Sequence, residues 1–500
     1  MSLSPYHIYQ DLKKNKINKS SAIDLLISIL EHDKDLAKRE KSLRLLKKIG
    51  HKSSKLFNLL ENLLISDKDN IIRTLAIQIL YSLFEDKALE PLKFALEHET
   101  DLRCLIPIIK NIGNMKTQKS RAILIEKLKT ITENRYRYNL KDIEIKDNLE
   151  DYSNEELASL LVNYFVLSIL KVKFGYFKFE PDEDGVISKL DLSNIDNQGL
   201  FLHKLKDSLY NVFTLSSLKE LNLSNNNIIK LPFDTAETTS LKILDLSYNK
   251  LTKVPESINN LKNLEMLKIK SNQLRSLPNS IGELKKLEHC IIRDNKISSL
   301  PNSIGELRSL RVLDLYQNKL STIPLSFKNM VNLEVLELGN NSLEEFDIDL
   351  STLNSLKKLG LERNELHRIP ENLKALSRLK ELQLYGNQIR TIPDFLSRLK
   401  NLEILNLRDN KISYIPTKIL TMDSLKVLNL SWNDIETLPG IISSLTSLEQ
   451  LNLWGNKLRE LPESIMDLEN LKILYLNDNN LTARPEFLRI LEKKGVKITL

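Results

Sequence analysis

The sequence predicts an α/β solenoid, bent like a horseshoe with parallel strands along its concave side, preceded by an all-α domain. Three observations carry this. A unit of 23 residues recurs twelve times without insertion from Leu218 onward. Asparagine fills the ninth position of every unit. Ahead of about residue 175, apolar residues return every three or four positions instead, which is the spacing of helices.

The units open at Leu218, Leu241, Leu264, Leu287, Leu310, Leu333, Leu356, Leu379, Leu402, Leu425, Leu448 and Leu471. Each approximates LxxLxLxxNxLxxLP. Leu244 and Leu246 alternate with Asp245, the period of a strand. Leu251 and Val254 hold the chain to the core after it turns. Pro255 opens the return segment, where Ile258 and Leu261 form one face of a short helical turn. A single unit cannot hide its apolar edge, but stacked units hide it against each other.

The asparagines, from Asn226 to Asn479, stand where the strand bends inward and backbone groups would go unpaired. A carboxamide offers a donor and an acceptor, so each can serve its own turn and a neighbouring coil. Their role is therefore read as structural. The proline recurs in eleven units, from Pro232 to Pro485. Asp347 replaces it in one, and a local irregularity is expected there.

These units resemble those of intracellular leucine-rich-repeat proteins, in particular the 23-residue LPxxIxxL class of Ras-suppressor-like and Ras-binding scaffold proteins. The resemblance covers about residues 187–500. It implies a curved solenoid whose ligand sits on the strand-lined face, and it leaves the partner open, a small GTPase being one candidate. Residues 218–485 hold the twelve repeats. Residues 176–217 supply an N-terminal cap with a first irregular repeat, and 486–500 a C-terminal cap of helix, glycine turn and closing strand.

Residues 1–175 read as helices. Ala22, Leu25, Leu26 and Ile29 share a face, and so do Leu43, Leu46 and Ile49, with Gly50 as a stop. Helical spacing follows over 56–64, 71–80, 88–97 and 101–112, the last ending at Gly113. Helix, Asp-rich turn, then helix with an early Arg resembles HEAT-type repeats, with a plain helical bundle as the alternative. The apolar stretch Leu157–Leu170 is interrupted by Asn163. At fourteen residues it is too short to span a bilayer and reads as a buried helix.

The formal net charge is +7. Residues 1–180 carry 31 Lys and Arg against 25 Asp and Glu, and the remainder is near neutral at 42 against 41. The N-terminal excess points weakly to an acidic partner. Two cysteines, Cys104 and Cys290, are too few for the disulfide caps of extracellular repeats. With no basic-then-apolar leader visible, cytoplasmic residence is the expectation. There is no phosphate loop, HExxH or CxxC pair, so no cofactor, metal or catalytic residue is assigned and the chain reads as a non-enzyme. Cys290 falls on a core position and should be inert. Asp182–Gly185 reads as a turn. Asp314 and Glu337, one coil apart, read as a solvated pair rather than a catalytic one.

Strand alternation sends one row from Asn222 to Tyr475 and a second from Ser224 to Asn477 toward the concave side. Both tryptophans of the chain, Trp432 and Trp454, fall on that side. Trp, Tyr and Arg dominate interface energetics, so Tyr385, Arg408, Trp432 and Trp454 form the expected hot region, with Arg363 and Tyr316 on the same face. Lys268, Lys270, Arg293 and His289 form a second, basic patch. Twelve strands give a face about 55 Å long, enough for a protein interface. The leading expectation is a scaffold or adaptor that binds another protein, in keeping with a signalling role. Nucleic-acid binding through the basic helical region, with Arg135-Tyr-Arg-Tyr138 as its mark, ranks second. A ubiquitin-ligase-like enzyme using Cys104 ranks third.

Overall fold

The computed structural model describes residues 4–133, 148–195, 208–231 and 240–500. They form two compact units, Met1–Leu190 with Asp207–Leu218, and Asp191–Lys206 with Lys219–Leu500. The Arg135–Tyr138 segment and Pro232 lie outside the described residues.

The first unit carries α1 (Pro5–Lys13), α2 (Lys19–His32), α3 (Leu36–Ile49), α4 (Ser54–Ser66), α5 (Asn70–His98), α6 (Leu102–Asn114), α7 (Gln118–Glu133) and α8 (Asn154–Phe174). Side-chain caps start them. Asn18, Asp35, Ser53, Asp69 and Asp101 each accept a backbone N–H of the first turn. Such a cap contributes about 1 kcal/mol. Arg39 pairs with Asp67 at the end of α4. Arg73 holds the Glu99 carboxylate at 2.9 Å and the Asp67 carbonyl at 2.8 Å. These bonds tie each turn to the next, and α4, α5, α6 and α8 pack in succession. Gly50 ends α3 in the left-handed conformation, with φ 67°.

Several sequence expectations are corrected here. On α2 the buried face is Ala22, Ile23, Leu26, Ile27, Ile29 and Leu30, while Leu25, like Ile49 on α3, is only half-buried. The two helices read over 71–80 and 88–97 are both present within α5, parted by a kink at Phe84, whose backbone is non-helical (φ −132°, ψ 38°). Gly113 does not stop α6, which runs to Asn114. It permits a close approach: a Cβ there would lie 2.6 Å from Ala158 Cβ on α8. The stretch over 157–170 belongs to a 21-residue helix, because Ser153 builds a capping box with Glu156 and Gly175 ends it. That helix is long and apolar enough to cross a membrane, and 61% of its most apolar window is buried inside the structure. Asn163 is buried and lines a cavity of about 260 Å³ with Lys110, Glu155 and Leu215. The strands β1 (Lys178–Pro181) and β2 (Ile187–Asp191) follow α8. Between them Asp182 Oδ1 accepts the Asp184 and Val186 N–H groups, which makes Asp182–Gly185 the expected turn.

The second unit is the solenoid. Each repeat contributes one three-residue strand, β3 (Glu220–Asn222), β4 (Ile243–Asp245), β5 (Met266–Lys268), β6 (His289–Ile291), β7 (Val312–Asp314), β8 (Val335–Glu337), β9 (Lys358–Gly360), β10 (Glu381–Gln383), β11 (Ile404–Asn406), β12 (Val427–Asn429), β13 (Gln450–Asn452) and β14 (Ile473–Tyr475). They pair parallel, in register, each central residue opposite the one 23 residues on, as Leu244 faces Leu267 and Leu267 faces Cys290. After each repeat proline from Pro255 to Pro462 a short 3-10 turn returns the chain, as at Glu256–Asn260 behind Pro255. No such turn forms between β8 and β9, where Asp347 replaces proline. There Asn372 of the next coil donates to the Phe346 and Ile348 carbonyls, both at 2.7 Å, and covers the irregular stretch. The helix α9 (Phe487–Lys493), Gly495 with φ 92° and β15 (Lys497–Thr499) close the far end, β15 pairing with β14.

The asparagine ladder holds the coils together. Asn249 Nδ2 donates to Leu223 O of the preceding coil at 2.9 Å and to Leu246 O of its own turn at 3.0 Å. Its Oδ1 accepts Ile228 N–H at 3.0 Å. The pattern repeats along the stack, and Asn226 through Asn456 are buried. Asn479, nearest the end, keeps these bonds but is half-buried.

Candidate functional site

Most strands read half-buried, buried, half-buried, so the central residue enters the core and its flanking residues line the open face; in β7 and β9 the third residue is buried too. The residue just before the ladder asparagine adopts the left-handed conformation in all twelve repeats, ten with non-glycine side chains and two with Gly386 and Gly455. This bend aims the asparagine inward and the preceding side chain outward. It costs a bulky residue on the order of 1 kcal/mol. Trp432 sits there with φ 56° and is 44% exposed; Tyr248 has the same φ and is 49% exposed.

The structure brings Trp432 and Trp454 together. Their ring centroids are 5.7 Å apart with planes tilted by 47°, and Trp454 Nε1 donates to Asp478 Oδ2 at 2.7 Å. That bond fixes one ring while leaving both rings partly exposed. Arg408 is exposed at the end of β11. Tyr385 is engaged elsewhere: the Arg363 guanidinium lies 5.8 Å from its ring. The basic patch is interleaved with acids and aromatics. Lys268 reaches Asp245 at 4.0 Å, Lys270 lies 5.0 Å from the Tyr248 ring, and Arg293 sits 4.9 Å from the Tyr316 ring and 3.7 Å from Asp314. His289 is half-buried on β6.

One group of residues was misread from the sequence. Asp314 and Glu362, expected on a solvated face, are buried, and Glu337 is half-buried. The cause is Gly339 and Gly360, which leave a gap in the two outward rows. A Cβ on Gly339 would meet Glu362 Cδ at 2.5 Å. A Cβ on Gly360 would meet Glu337 Oε2 at 2.0 Å and Glu362 Oε2 at 2.9 Å. Both carboxylates fold into the space that side chains would fill. Lys358 pairs with Glu337 at 3.0 Å and Glu381 at 3.1 Å. Glu362 Oε2 has no hydrogen-bond partner. Burial first, then the neighbouring Glu337 and Glu381 charges, push the Glu362 carboxyl up to about 7. Burial likewise raises Asp314 and Glu337. The signal that could have found this site was two glycines at outward positions of consecutive repeats, followed by a glutamate.

Both cysteines are buried. Burial pushes the Cys104 thiol up to about 11 and the Cys290 thiol up to about 12, so neither is a ready nucleophile near neutral pH. Among the described residues no group of three or more His, Cys, Asp or Glu is placed to hold a metal ion.

A strand-lined solenoid with a bonded asparagine ladder defines the class, and the comparisons agree. The leucine-rich-repeat family pattern matches overlapping stretches within residues 216–343 and 354–458. A leucine-rich-repeat protein of Leptospira interrogans is 34% identical, with 58% of this chain and 80% of that one covered at a TM-score of 0.52. The PEPR1–AtPEP1 crystal structure is 30% identical over 64% of this chain and 49% of that one, TM-score 0.50. The TLR13–ssRNA13 complex is 27% identical over 58% and 48%, TM-score 0.50. No curated protein matches the sequence. The chain belongs to the leucine-rich-repeat proteins.

Proposed function

We propose that the chain is a cytoplasmic adaptor that binds another protein through the concave face of its solenoid and performs no catalysis of its own. The carrying observation is the Trp432–Trp454 pair. Two large rings stand partly open on a face whose leucines are already satisfied, and one holds a strained backbone conformation that glycine or asparagine would relieve. Exposed aromatic rings fixed in place lose little entropy on binding and supply large contact area. The likeness to PEPR1–AtPEP1 and TLR13–ssRNA13, both structures of complexes by name, supports a binding role for the face. Regulation of a signalling protein fits this reading, and a small GTPase is one partner to offer. The helical unit supplies a second contact surface or fixes location; a HEAT-like role fits its turn-to-turn Arg–Asp and Arg–Glu bonds.

The test compares the full chain with the W432A/W454A double variant against a protein captured by the wild type. An affinity loss of at least about tenfold, with thermal midpoint retained, is expected. A change under about twofold sinks the proposal.

A further inference from the structure

We propose that the notch over Gly339 and Gly360 is a socket for a cationic side chain, arginine or lysine, presented by the bound protein. This rests on the concave face being the binding face and names the chemistry that one part of it recognises.

The notch is carved by sequence. Gly339 and Gly360 lie in neighbouring coils and remove two outward side chains from a face otherwise filled. Four carboxylates gather around it: Asp314, Glu337, Glu362 and Glu381. Two cations answer them, Arg293 on Asp314 and Lys358 between Glu337 and Glu381. Glu362 is left over. It is 7% exposed, its Oε2 has no partner, and its carboxylate lies in the space above both glycines. Its own backbone N–H serves the carboxyl, but a buried carboxylate oxygen left without a donor is costly unless a proton or a cation joins it. Tyr316 and Tyr385 flank the coils of Gly339 and Glu362 in the same row, each with a guanidinium over its ring. They offer aromatic walls of the kind that also attract cations. The chain as a whole carries +7, so a basic ligand gains nothing from its net field and must find a local acidic spot. A planar guanidinium matches two carboxylates over one glycine better than an ammonium does.

Binding a cation stabilises the ionised form of Glu362. The titratable and charged groups facing that carboxyl are Glu337, Lys358 and Glu381, with Tyr385 from the next coil. With its carboxyl raised to about 7, free protein holds a proton there in much of the population at neutral pH, and the ligand must displace it. Affinity for a cation therefore rises from pH 6 to pH 8.

The probe is a capped peptide with four Arg-Gly-Ser repeats, titrated calorimetrically into the full chain. Its control replaces each arginine by citrulline, which keeps shape and loses charge. The arginine peptide should bind at least about tenfold tighter than the control. E362Q and E337Q/E362Q should erase most of that difference, and the wild-type affinity should climb between pH 6 and 8. Equal binding of both peptides, unchanged discrimination in E337Q/E362Q, or an affinity flat with pH overturns the socket. The W432A/W454A variant separates the two proposals. It should keep the arginine preference, whatever becomes of its protein partner.

Discussion

Trp432 lies over the backbone of Gly455 in the next coil, so that a Cβ on Gly455 would come 3.0 Å from Trp432 Cδ2. The glycine makes room for an indole that itself sits at φ 56°. Asparagine tolerates this left-handed region better than any bulky side chain. W432N should therefore fold at least as stably as wild type while losing partner affinity by about tenfold or more. A melting curve and a binding titration on the same sample decide it. Lower stability with binding intact would make the ring a structural prop.

The ladder predicts a gradient of cost. Asn341 Nδ2 donates to Leu315 O at 3.1 Å and Leu338 O at 2.9 Å, and its Oδ1 accepts Leu320 N–H at 2.9 Å. N341A leaves several of these groups buried and unpaired, at about 2–4 kcal/mol. N479A removes an equivalent set, but the half-buried site admits water and the loss should be nearer 1 kcal/mol. Denaturant midpoints of the two variants test the order.

The solenoid was legible because its signal is repeated and local. Twelve leucines at one spacing fix the strand, and twelve asparagines fix the bend, so the coil, its register and the irregular unit at Asp347 all follow from the repeat pattern. What escaped depended on non-local geometry. Gly113 looks like a helix stop when only its own segment is read; its role is set by Ala158, 45 residues away. Glu337 and Glu362 occupy outward positions by alternation, yet glycines at 339 and 360 leave space into which their carboxylates sink. Periodicity assigns a face to a residue, but depth on that face depends on the volumes of its neighbours. The Trp432–Trp454 contact was partly readable: alternation put both on one side, while the tilt and the Asp478 bond needed coordinates.

Gly113 offers a test of the first unit. Alanine is the better helix former by about 1 kcal/mol. Here its Cβ would press on Ala158 Cβ at 2.6 Å and on Asn154 O at 3.1 Å. Overpacking of that kind costs about 1–3 kcal/mol, so G113A should be net destabilising. Hydrogen exchange should quicken in α6 and α8 and stay unchanged in the solenoid. Adding A158G should recover most of the loss, which a propensity effect alone would not.

Glu362 sets a pH dependence whose sign can be worked through. Its folded carboxyl titrates near 7, against an ordinary value of 4.5. Below about 4.5 both folded and unfolded chains hold the proton, and the group contributes no slope. As pH rises from there, the unfolded chain releases its proton first, so folding is progressively penalised until the folded carboxyl ionises near 7. Above that the penalty is constant, on the order of 3 kcal/mol if the whole difference is realised. Glu337 moves in the same direction for the same cause, burial. Glutamine cannot ionise and keeps the shape. E362Q should thus match wild type at pH 4.5, gain on it steadily to pH 7 and hold its advantage at pH 8. Thermal midpoints at those three values decide the matter, and a variant no more stable than wild type at pH 8 would show that the carboxylate is already paired in solution.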